Sequence, residues 1–119
     1  MAWALLQYDR VYNAFLEGCD DDSHKKVVAK MAVLLMYGNL VSRSLSESLG
    51  DGLFELWFTG ATGIHIRILY GFLPGRRVLV VDARYKDQKK LPPGVIEEAK
   101  RRLAAIKASE QKSNGEQYH

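Results

Sequence analysis

Basic and aromatic side chains that can do chemistry gather in two short stretches of this chain. One is IHIRILYGF, carrying His65 and Arg67; the other is ARYKDQKK, carrying Arg84, Tyr85, Lys86, Lys89 and Lys90. Such a set can hold a phosphate and move protons around it without a metal. Arginine grips a phosphate through two parallel N–H···O bonds. Lysine or tyrosine serves as base or acid once neighbouring cations lower its pKa, and tyrosine can instead stack on a base. RNA supplies its own nucleophile, the 2′-hydroxyl. Its cleavage needs only a proton acceptor, a group to protonate the leaving oxygen, and cations on the crowded phosphate. On this reading Arg67, Lys86, Tyr85 and Arg84 are the catalytic candidates. His65, Lys89, Lys90, Lys100 and Arg101 are the RNA-binding ones.

Blander readings stand beside these. Arg67 and His65 can be solvated residues on the outer face of a strand. The stretch 84–90 can be a basic loop, or a surface that receives an acidic partner segment. Lys100, Arg101 and Arg102 fit a solvated helix face, Asp20–Asp22 a helix cap, and Trp57 a core or interface position; Cys19 reads as a small buried hydrophobe.

Other chemistries find little support. There is no Gly-rich phosphate loop, GxSxG elbow, HExxH pair or EF-hand loop, and no cofactor is expected. His24, His65 and His119 are scattered, without a second ligand at helical spacing, so no metal site is expected either. The single cysteine, Cys19, excludes an internal disulfide and a multi-cysteine zinc site, which suits a reducing cytoplasm. Apolar runs such as Met31–Tyr37 are too short to span a bilayer, and MAWALLQYDR lacks a basic start, so a cytoplasmic protein without membrane contact is expected. Charge is lopsided: residues 1–60 carry five Lys/Arg against eight Asp/Glu, and residues 61–119 carry twelve against six. A polyanion should therefore meet the C-terminal half.

The elements that must position these residues follow from periodicity. LFELWF, IHIRILYGF and RVLVVDA are β-branched and aromatic runs separated by short Gly-containing breaks, which predicts a three-stranded antiparallel meander. Alternation places Ile64, Ile66 and Ile68 on one face and His65, Arg67 and Leu69 on the other. The continuous run Val78–Val81 predicts a central strand covered on both faces. Before the meander, Tyr8, Val11, Tyr12, Phe15 and Leu16 mark one helix that Gly18 ends. Val27, Val28, Met31, Leu34 and Leu35 mark a second over His24–Tyr37, and the short break between the two predicts a helix hairpin. Ala2–Gln7 reads either as a strand joining the sheet edge or as the start of the first helix. Residues 39–52 read as a polar connector whose Leu40, Leu45 and Leu49 lie over the core edge. A last helix begins at Leu91-Pro92-Pro93-Gly94 and buries Val95, Ile96, Ala99, Leu103 and Ile106. The expected architecture is α+β, one compact domain over residues 1–108 followed by a polar, frayed tail over 109–119.

In this order the elements resemble the RelE/ParE superfamily of bacterial toxins, and most closely its HigB-like, phage-derived branch. The resemblance spans about Trp3 to Ile106. It rests on Glu55-Leu56, Arg67 with Leu69-Tyr70, Tyr85-Lys86, Lys90 and Pro92, and Glu98-Ala99 with Arg102. It implies a RelE-like sheet packed with helices and the toxin of a type II toxin–antitoxin system, a metal-independent endoribonuclease that cleaves mRNA on the ribosome. A HigA-like helix-turn-helix antitoxin would be its partner, in a toxin–antitoxin hetero-oligomer. Three positions depart from the family pattern: Trp57 stands in place of a strand arginine, Arg84 in place of a common Phe, and Asp87 in place of a second Lys. The alternative on the same fold is a non-catalytic binding toxin, such as a ParE-like gyrase inhibitor, or a degenerate toxin.

Overall fold

The computed structural model describes residues 2–41, 45–60, 63–86 and 91–117. The meander is present as β3 (Leu53–Thr59), β4 (His65–Leu73) and β5 (Arg77–Lys86), paired antiparallel in sequence. It is the centre of a larger, mixed sheet of five strands. β1 (Ala4–Gln7) lies parallel to β5 on one edge, and β2 (Ser46–Gly50) antiparallel to β3 on the other. Of the two readings of Ala2–Gln7, the edge strand is the one observed. β2 falls inside the stretch read as a polar connector. Its sequence SESLG offers one large apolar residue, too little alternation to declare a strand, and it is held instead by its ladder to β3 and by buried Ser46, whose Oγ lies 2.6 Å from the Tyr70 hydroxyl.

Helices cover both faces. α1 (Val11–Glu17) and α2 (Asp21–Tyr37) bury Tyr12, Val27, Met31 and Leu34 against Leu56, Ile66, Ile68 and Val80. α3 (Pro93–Gln117) buries Ala99 and Leu103 against Leu53, Leu69, Leu79 and Val81. The run Val78–Val81 is fully central, as its apolar continuity predicts, and sends alternate side chains to the two cores. α3 comes so close to β4 that a Cβ at Gly71 would lie 2.6 Å from the Leu103 methyls.

Element boundaries move where the backbone turns. Asp9 and Arg10 have positive φ, 44° and 59°, so α1 starts at Val11 and Tyr8 stays with the sheet, its N–H donating to Val80 O. Asp20 caps α2 by accepting from the Ser23 N–H at 3.1 Å, so the helix starts at Asp21, three residues ahead of the predicted His24. At the other end Gly38 has φ +56° and would bring a Cβ within 2.1 Å of the Trp3 indole, so the close approach requires glycine there. Val28, expected in the buried stripe of α2, is 44% exposed, and Leu40 and Ile64 are exposed as well. α3 continues to Gln117, and Glu110 accepts two hydrogen bonds from Arg77 at 2.6 and 2.8 Å.

Candidate functional site

α3 packs over only part of its sheet face. The remainder carries Trp57 and Thr59 from β3, His65 and Arg67 from β4, and Arg84 from β5. Register aligns them in rows. Trp57 pairs with Arg67 and Arg67 with Arg84; Thr59 pairs with His65 and His65 with Lys86. Directly paired Cα atoms lie about 4.5–5.5 Å apart, so each row is one contact wide.

A bulge decides which β5 residues join this face. Tyr70 pairs with Val80 and Leu69 with Asp82, leaving Val81 as the extra residue. Val81 and Asp82 then share the α3 side, and every side chain beyond them is flipped relative to strict alternation. Arg84 thereby joins Arg67. Tyr85 goes to the opposite face, where its ring lies 5.0 Å from that of Phe15. Its hydroxyl meets the turn between α1 and α2. A hydrogen bond with Cys19, burial, and the charges of Cys19 and Asp20 push the phenol up to about 12. Tyr85 therefore does not share the face of Arg67 and Arg84, and its phenol is a weaker acid than an ordinary tyrosine, with less phenolate available as a base.

Both strand arginines hold carboxylates. Arg67 donates to Glu55 at 2.5 Å, with side chains only 12% and 4% exposed. Burial pushes the Glu55 carboxyl above its ordinary range; Arg67 pulls it back in part, and Glu47, its cross-strand neighbour, pushes it up again. Arg84 grips Asp82 with two bonds, Nε to Oδ2 at 2.7 Å and Nη2 to Oδ1 at 3.0 Å, and this pairing raises the arginine's pKa. The same Asp82 lies 3.8 Å from Arg102 Nη1. Arg102 turns inward rather than out to solvent, donating to Val81 O at 2.7 Å and standing 5.1 Å over the Tyr8 ring.

The remaining candidates divide. His65 is exposed, its Nδ1 3.4 Å from Thr59 Oγ1 and its ring at 66° to Trp57 with centroids 6.0 Å apart. Lys86 is placed by its backbone, opposite His65. Lys89 and Lys90 lie outside the described residues, as does Asp87. Lys100 and Arg101 are on α3, held to Asp51 at 3.2 Å and to Glu98. Three residues of this face were missed as functional candidates in the sequence. Glu55 showed only in the Glu-Leu pair of the resemblance, Asp82 looked like the end of an apolar strand, and Trp57 was read as core or interface.

A family model described as phage-derived protein Gp49-like (DUF891) matches residues 14–104. The chain belongs to the Gp49-like family. This is a RelE/ParE-like toxin family. The match opens within α1 and closes within α3, so all residues of the open sheet face lie inside it and β1 lies outside. No curated protein matches the chain. Among the described residues no helix is long and apolar enough to cross a membrane.

Proposed function

We propose that this Gp49-like protein is the toxin of a type II toxin–antitoxin pair and a metal-independent endoribonuclease of the HigB-like branch, cutting mRNA on the ribosome. The observation that carries the reading is the row Trp57–Arg67–Arg84 on open sheet, beside the row Thr59–His65–Lys86. Arg84 and Arg67 supply the positive charge that meets the scissile phosphate. A phosphate oxygen would compete with Asp82 for the exposed Arg84 fork, whereas Arg67 stays oriented by Glu55. His65 and Lys86, paired across β4 and β5, are the proton-transfer residues, imidazole being the commonest general acid or base. Tyr85 anchors the end of β5 against Phe15 and so positions its neighbour Lys86. Glu55, almost fully buried, positions Arg67 and does not reach substrate. A HigA-like antitoxin is the proposed partner and the cytoplasm the proposed location, in keeping with a toxin-like family generally paired with an antitoxin.

The pairing of both arginines with carboxylates favours a second reading, a binding toxin of the same fold that acts on gyrase. Brief expression in growing bacteria separates them. New mRNA ends within translated frames are expected; loss of gyrase-dependent supercoiling without new ends would move the assignment to the second reading.

A further inference from the structure

Among the described residues Trp57 is the largest exposed apolar surface on the open sheet face, at 44%. Its partner across the ladder is Arg67, and the His65 ring beside it stands edge-on rather than stacked upon it. The indole also forms one wall of a cavity of about 620 Å³ at the free edge of β2. Phe54, Tyr70 and Phe72 line that cavity from the α1/α2 face of the sheet, whereas Glu47, paired with Glu55 on β3, lies on the same face as Trp57. A flat aromatic surface with a hydrogen-bonding group beside it on one face is what an unstacked nucleobase requires: a π-face to lie on, and a group to meet its edge. Glu47 is exposed, and an ionised carboxylate only accepts hydrogen bonds. It suits the exocyclic amino group of adenine, cytosine or guanine, whereas the one donor on the uracil edge, N3–H, is flanked by two carbonyls that repel a carboxylate.

We infer that Trp57 is the platform on which one base of the RNA stacks beside the arginine row, with Glu47 on the same sheet face selecting bases that carry an amino group. This rests on the endoribonuclease reading but adds a residue and a preference to it. The replacement of a strand arginine by Trp57 then exchanges a phosphate contact for a base contact. The site gains selectivity where it gives up charge.

New mRNA ends are mapped in bacteria expressing wild type, Trp57→Ala, Trp57→Phe and Glu47→Gln at matched soluble levels. Base–aromatic stacking predicts that Trp57→Ala lowers cutting about fivefold or more, while Trp57→Phe keeps most of it. Glu47→Gln should shift the base preference and admit uracil at the selected position, because an amide can also donate. Wild-type rate and wild-type base preference in Trp57→Ala would overturn the platform even with the nuclease confirmed. If wild type makes no ends, the nuclease reading fails, and the platform is judged by binding of a single-stranded RNA hexamer. Quenching of indole emission that disappears in Trp57→Phe would support it. Equal quenching in both proteins, or none in wild type, would overturn it.

Discussion

Arg67 and Glu55 show why a functional assignment cannot be read from loss of activity alone. Removing Arg67 deletes the proposed phosphate ligand and also strands a carboxylate that is 4% exposed. Breaking a buried pair on one side costs roughly 3–5 kcal/mol, because the remaining charge has no counterion. Arg67→Ala should therefore lose toxicity and also unfold at a clearly lower temperature. Adding Glu55→Gln should recover much of the melting temperature while activity stays lost; recovery of both would make Arg67 purely structural. The same glutamate sets a pH dependence. Its folded pKa lies above the ordinary value of 4.5, so its protonated form favours folding. That contribution is present below pH 4.5 and is lost as pH rises through the folded pKa. Melting curves across this range should show wild type losing stability relative to Glu55→Gln as pH rises, and parallel profiles would exclude the effect. Tyr85 differs in kind. Its phenol stays protonated until the pH approaches about 12, and it faces Phe15 rather than the arginine row. Tyr85→Phe should cut mRNA within about twofold of wild type, since the general acid–base role it would have to lose is worth at least ~100-fold.

At the scale of elements, the β5 bulge does most to decide the site. One extra residue at Val81 reverses the facing of Arg84 and Tyr85, and nothing in the run RVLVVDARYK marks it. The central strands, the two-sided burial of Val78–Val81 and the Asp20 cap were legible because they follow from alternation, apolar continuity and side-chain chemistry. Arg67 and His65 were correctly placed together by the same alternation in β4. The partners that hold the site, Glu55 and Asp82, were not legible, since which carboxylate meets which arginine depends on ladder register. β2 and the end of α3 were missed for a related reason. Neither has a strong apolar pattern, and both depend on tertiary contacts, Ser46 with Tyr70 and Glu110 with Arg77. Truncation after residue 108 tests the second of these. The Arg77–Glu110 pair is solvent-accessible, so its loss should change the melting temperature little and leave cutting unchanged. A cooperative loss of folding on truncation would show that the last turns of α3 belong to the core.

For the whole molecule, the acidic first half and basic second half converge on one sheet. Helices from the acidic half close one face, and strands and helix from the basic half frame the open end of the other. A polyanion approaching from solvent is steered by that asymmetry toward the rows of β4 and β5. On the proposed reading, binding is spread over several cations while chemistry is concentrated at two or three side chains. Lys86→Ala in a single-turnover assay on programmed ribosomes tests this division most directly, with ribosome affinity measured on the same preparations. The account predicts that the cleavage rate falls about 100-fold or more while affinity changes only a few-fold. A Lys86→Ala protein that cuts at the wild-type rate, or a wild-type protein that binds programmed ribosomes and leaves their mRNA intact, would contradict it.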